Sequence, residues 1–183
     1  MENRRSKMTK RMLKEALAEE LTENDLKYVS VRTICERADL HRSTFYLHYE
    51  TIEDLIKEYT EEVMSKVWNP SENSIISDEQ RYREALTYIL SNPNLFHCLL
   101  KTGLYHSYIM EQYSKLDFDN DPSLKKIDKN IMMLLSAYTV SGMEQMLLWI
   151  LEHPEHPYSF DDIVKATVEM NDHAQAIISQ LSH

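Results

Sequence analysis

The sequence predicts an all-α protein of about nine helices, and three observations carry that prediction. Among 183 residues there are only two glycines, Gly103 and Gly142, and five prolines, too few turn-formers for a chain of hairpins. Leu, Met, Glu and Lys are common while valine and threonine are sparse, which favours helix over strand. Apolar residues recur at helical spacing in segment after segment. With 43% hydrophobic content the chain can bury a real core, in one domain or two small ones.

Residues 2–7 are polar and read as a frayed start. Arg4, Arg5 and Lys7, with Lys10, Arg11 and Lys14 behind them, form a basic arm that can follow a phosphate backbone or simply be solvated. A first helix is expected from about Thr9 to Asn24, with Met12, Leu13, Ala16, Leu17, Glu20 and Leu21 inward. Tyr28 and Val29 bridge to the most informative stretch, Val31 to Tyr49. There Val31, Ile34, Cys35 and Ala38 mark the stripe of a short helix, with Ser30 placed to cap it. Asp39-Leu40-His41 is long enough only for a corner. A second helix starts near Arg42, pinned inward by Phe45 and Tyr49, which leaves Arg42, Ser43, Thr44, Tyr46 and Leu47 largely outward. Helix, three-residue turn and donor-rich helix is the helix-turn-helix plan, whose second helix enters the major groove of DNA. His41, Arg42, Ser43, Thr44 and Leu47 are then the candidate base or groove contacts, and Arg42 can donate twice to a guanine edge. Arg32 and Thr33, at the start of the preceding helix, are placed to reach phosphates.

The fourth helix is expected over 51–68, with Leu55, Ile56, Tyr59, Val63 and Val67 on one stripe and Glu53 and Asp54 suiting its dipole. Asn69-Pro70 breaks it, and 71–77 reads as a polar loop. Helices follow over about 78–91, 93–101 and 104–116, with Pro93 at a first helical turn and Gly103 as a separator. An acidic, turn-rich loop runs from Asp117 to Pro122. The next helix, about 123–153, has fifteen of twenty-one residues apolar between Ile131 and Leu151 and no single polar face. Such a segment nearly qualifies as a membrane span. Glu144 and Gln145 fall inside it, however, and a helix apolar all round is more simply one buried against its own core and a partner subunit. After the rigid His153–Pro157 linker, Ser159 and Asp162 form a capping-box pattern for a last helix to about Leu181.

The run from Ser30 to Leu55 reads S-V-x-x-I-C-x-x-A-x-L-x-R-S-T-F-Y-x-H-Y-x-T-x-E-D-L, which resembles the DNA-binding domain of the TetR family of transcriptional regulators. Within that family it is most similar to the branch resembling regulators of dihydroxyacetone metabolism. The resemblance covers roughly residues 8–68, with a fainter echo of the family's dimerisation helix at Ser141–Glu152. Two positions depart from it: Asp39 stands where the family usually has glycine, and Ile52 where a lysine is common. The resemblance implies a helix-turn-helix domain over 1–50, a linking helix over 51–68, and a ligand-binding and dimerisation bundle over 69–183. It also implies that Tyr46 and His48 meet phosphate, which fixes register rather than sequence. The expected partners are a double-stranded DNA operator, a second copy of the chain and a small apolar or aromatic effector. Ligand-pocket candidates in the Met-, Tyr- and His-rich body are Tyr88, Phe96, His97, Leu100, Leu104, Tyr105, Tyr108, Leu135, Tyr138, Met146 and Trp149.

Charge and chemistry agree with that expectation. Residues 1–50 hold ten Lys/Arg and nine Asp/Glu, a balance of +1, and the remainder carries −11, so the net −10 is gathered in the body. Cys35 and Cys98 lack CxxC spacing and read as reduced core residues of a cytoplasmic protein. His97 and His106 have no convincing metal-ligand spacing with Glu111 or Cys98. No phosphate loop, nucleophile elbow or HExxH pattern is present. Neither enzyme activity nor a cofactor is expected. The reading is a ligand-responsive, dimeric DNA-binding regulator, most simply a repressor. The alternative is a regulator or co-activator whose helical body binds a protein partner.

Overall fold

In the structure, a computed structural model, residues 4–67, 78–117 and 128–181 are described. Nine α-helices and no strand occur among them. In chain order they are α1 (Arg4–Glu23), α2 (Val31–Arg37), α3 (Arg42–Phe45), α4 (Ile52–Met64) and α5 (Asp78–Leu90). α6 (Pro93–Lys101), α7 (Leu104–Ser114), α8 (Lys129–Glu152) and α9 (Phe160–Leu181) follow. A 3-10 turn at Leu26–Tyr28 joins α1 to α2. Trp68, the Asn69-Pro70 break, the loop at 71–77, the acidic turn from 118 and the expected helix start at Ser123 lie outside the described residues.

The helix boundaries follow local chemistry. Pro93 occupies the first turn of α6, and Gly103, at φ 73°, supplies the left-handed residue before α7. Asp128 caps α8 by accepting from the Asn130 and Ile131 N–H groups at 2.8 and 3.0 Å. At α9, the Ser159 hydroxyl accepts from the Asp162 N–H at 3.2 Å while the Asp162 carboxylate accepts from the Ser159 N–H at 2.9 Å. Several ends differ from expectation by a residue or two, as frayed last turns do. α4 stops at Met64 and continues to Val67 only in tighter turns.

One correction is larger. α1 starts at Arg4, so Arg4, Arg5 and Lys7 belong to a helix and not to a frayed arm. The reason is tertiary. Ser6 Oγ lies 3.5 Å from His48 Nδ1, and Lys10 donates to Glu58 on α4 at 2.9 Å. Lys14 reaches Glu58 and Glu62 at 2.8 and 2.7 Å, completing a strut between α1 and α4. Burial opposes the Glu58 charge, yet the Lys14 and Lys10 ammoniums more than offset it and hold the carboxyl below its usual range.

A continuous buried cluster runs from Leu13 on α1 to Val164 on α9, with Phe45 and Phe96 its largest fully enclosed side chains. α1 packs on α6 and α4 on α7, so the first four helices rest directly on the later ones. Cys35 and Cys98 are both buried and free, and burial raises both thiols above their ordinary pKa. α8 is apolar and long enough to cross a membrane by length and composition, with only 22% of its most apolar window buried. Its outward face carries Leu134, Tyr138 and Trp149; on α9, Met170 and Ile177 are exposed too. Met170 Cε sits 3.6 Å from where a Cβ on Gly142 would lie, so the two exposed sets meet across one seam.

Asp39 is the one described non-glycine residue with positive φ, at 52°. Glycine adopts that conformation freely, whereas an L side chain is strained in it. The gain from Asp39→Gly is reduced by the freer unfolded chain. Asp39→Gly is therefore expected to stabilise the protein by about 0.5–1 kcal/mol, visible as a rise of roughly 1–4 °C in thermal melting.

Candidate nucleic-acid interface

The geometry begins at Ser30. Its hydroxyl accepts from the Thr33 N–H at 3.2 Å, and the Thr33 hydroxyl accepts from the Ser30 N–H at 3.1 Å. This reciprocal cap fixes where α2 starts. The helix ends in a Schellman motif: Leu40 N–H bonds the Cys35 carbonyl at 2.9 Å and Asp39 N–H bonds that of Glu36 at 3.4 Å. Asp39 takes the left-handed position normally held by glycine, and Leu40 packs onto the core as the corner plug. α2 is riveted to α1 by Arg37, which donates to Glu20 at 2.7 Å and Glu23 at 2.6 Å and lies 3.4 Å from Glu19. Glu20 is only 6% exposed, so Arg37 is what makes its burial tolerable.

His41 opens α3, its Nδ1 lying 2.9 Å from Ser43 Oγ and accepting from the Ser43 N–H at 3.4 Å. α3 itself is a single turn, Arg42–Phe45, continued by tight turns in which Leu47 and His48 N–H groups bond back to Thr44 and Phe45. Phe45 is fully buried and anchors the element, with Tyr46 edge-on at 5.4 Å and Tyr49 at 5.6 Å. Rotation about that anchor turns the remaining side chains outward. His41, Arg42 and Ser43 are exposed; Tyr46 is 59% and Leu47 80% exposed. Thr44 and His48 are half-buried at the margin. These residues form one contiguous outer face of α3.

Arg11, Arg32, Arg37 and Arg83 each hold a carboxylate, whereas Arg42 has no ion pair among the described residues. Arg32 is exposed on α2 and bound to Glu36 at 2.7 Å, and the Thr33 hydroxyl is committed to the cap. The element's flank was not legible from the sequence: the first turn of α1, through Ser6 and His48, brings Arg4, Arg5 and Lys7 beside the end of α3. Ile52, where the family resemblance expects lysine, is half-buried against the core, so packing explains its presence.

The eleven body candidates fall in three places. Phe96 and Tyr105 are core residues, with Tyr88 edge-on to Phe96 at 5.7 Å. Leu100, Leu104, Tyr108 and Met146 are half-buried against the core, and Leu135 is half-buried on α8. His97 pairs with Glu152 at 3.2 Å on the surface; Tyr138 and Trp149 are 79% and 43% exposed. A cleft of about 440 Å³ lies elsewhere, between the end of α1 and α6, and of the eleven only His97 lines it.

No protein-family model and no curated protein sequence matches the chain. Solved structures do. A TetR transcriptional regulator from Streptococcus agalactiae 2603V aligns with a TM-score of 0.67 and 24% identity, covering 91% of this chain and 95% of that one. The dihydroxyacetone kinase operon activator DhaS aligns with a TM-score of 0.53 and 16% identity, covering 96% and 98% of the two chains. Over nearly its whole length, the chain has the all-α fold of the TetR transcriptional regulators.

Proposed function

We propose that the protein is a cytoplasmic, sequence-specific DNA-binding transcriptional regulator that acts as a dimer. One observation carries the reading: a short helix, locked by Phe45, that exposes Arg42, Ser43, Tyr46 and Leu47, with no ion pair to Arg42 among the described residues. Residues 1–50 are the DNA-reading head, α4 the link, and 69–183 the body that dimerises and answers to an effector. Arg42, with His41, Ser43, Thr44 and Leu47, meets the groove; Tyr46, His48, Arg32 and Thr33 face the backbone. Arg32 must exchange Glu36 for phosphate to do so.

The apolar seam of α8 and α9 supplies the second half of the reading. Leu134, Tyr138, Met170 and Ile177 are costly to leave in water and suit a four-helix contact with a second copy. A symmetric dimer would place two α3 helices on half-sites about one turn of DNA apart, near 34 Å. An effector then acts by preferring one head separation, and its differential affinity sets how far operator binding shifts. Repression is the simplest output of such an arrangement.

Arg42→Ala tests the base-reading role. The variant is expected to melt with wild type, since Arg42 is exposed and makes no ion pair among the described residues. It should lose about 1–3 kcal/mol of discrimination between operator and random DNA, roughly a factor of 5 to 150. Fluorescence anisotropy on both DNAs measures this, and an unchanged ratio would remove Arg42 from the reading face.

A further inference from the structure

α8 carries a carboxylate where its pattern calls for an apolar side chain. Val140 and Leu147 are buried and face the core, and Glu144 lies between them on the same seam, its side chain only 13% exposed. Its Oε2 is 2.9 Å from His106 Nδ1 on α7. Its Oε1 is buried and accepts no hydrogen bond among the described residues. A buried charge of this kind is often replaceable by an apolar residue without loss of stability, so stability alone does not account for it.

The surroundings are polar and aromatic together. Tyr105 is 4% exposed; burial first, then the Glu144 charge and the phenols of Tyr82 and Tyr113, push its hydroxyl well above the ordinary tyrosine range. Burial lifts Tyr82 to about 12, and the Tyr113 and Ser136 hydroxyls are hydrogen-bonded to each other. A buried carboxylate oxygen without a hydrogen-bond partner among the described residues thus lies within electrostatic reach of the buried Tyr105 phenol, in the part of the chain that carries −11.

We propose that Glu144, positioned by His106, anchors an organic ammonium ligand between α7 and α8. The ligand's N–H groups donate to Oε1, and its positive charge meets the carboxylate. The acidic body raises the local concentration of such a ligand. A neutral alcohol could donate but brings no charge, and a carboxylate would be repelled. This rests on the reading of an effector-responsive regulator and gives the chemical class of the effector.

The test uses the full-length protein with benzylamine, phenethylamine and spermidine, and with benzyl alcohol and benzoate as uncharged and anionic counterparts. Calorimetry is expected to show saturable binding of at least one amine, with benzyl alcohol at least about tenfold weaker and benzoate silent. Glu144→Gln should weaken that amine about tenfold or more while the protein still melts cooperatively. Glu144→Leu is the second variant, expected to melt no lower than wild type and to bind no amine. His106→Ala should weaken the amine and His106→Gln, which keeps a donor for Oε2, should restore most of the binding. Equal affinity for amine and alcohol, unchanged amine affinity in Glu144→Gln, or no saturable binding of any of the three amines would overturn the proposal. Loss of operator recognition by the wild-type chain is a separate outcome: it refutes the regulator reading and leaves the calorimetry to judge this one.

Discussion

Replacing Phe45 with alanine is expected to lower stability by about 3–5 kcal/mol and to abolish operator binding. Phe45 is fully enclosed and is the one aromatic that ties the single turn of α3 to the core, with Tyr46 and Tyr49 packed on its ring. α3 has too few residues to hold its own shape, since isolated helices of a turn or two do not form in water. Loss of the anchor therefore frees Arg42 and Ser43 from their shared face as well as opening a cavity. Thermal melting should fall by roughly 6–20 °C for a chain of this size. Leu47→Ala is the control. Leu47 is 80% exposed, so its truncation should cost less than about 0.5 kcal/mol. Equal destabilisation by the two variants would contradict the anchoring role.

The second large effect concerns association. A Leu134→Asp, Tyr138→Asp double variant places two charges on the exposed apolar seam of α8. If a second copy covers that seam, each charge is desolvated without a partner, and an anchor residue of this type typically carries about 2 kcal/mol or more. Dimerisation should then weaken by at least about 100-fold. Because both positions are exposed within one chain, the monomer should keep its helical content. Sedimentation velocity would show wild type at twice the monomer mass and the variant at one, with operator affinity falling in parallel. A variant that stays dimeric would move the contact to another surface.

The parts of the fold that were readable are those set by local chemistry. Ser30, Pro93, Gly103 and the Ser159–Asp162 box announce their helix ends within a few residues, and Phe45 with Tyr49 announces which side of α3 is inward. What escaped depends on residues far apart in the chain. The first turn of α1 is supported by His48, 42 positions from Ser6, and no local periodicity reports that. Arg37 finds its carboxylates 14 to 18 residues earlier, on α1. Ile52, where the resemblance expects lysine, packs against the core, a contact that spacing in the sequence does not report. In the body, composition marked Tyr138 and Trp149 as interior because α8 is apolar on every side, a pattern that cannot say which face a partner covers. In the sequence Glu144 argues only against a membrane span; its pairing with His106, 38 positions earlier, depends on how α7 packs on α8.

The central claim is an operator-specific dimer, and the most direct measurement is binding of the purified protein to the DNA flanking its own coding region at two salt concentrations. The account predicts saturable binding of two protomers per site, resistant to excess random DNA. The affinity should fall steeply between about 50 and 200 mM salt, as phosphate contacts require. Binding no tighter than to random DNA, with no defined stoichiometry, would contradict it.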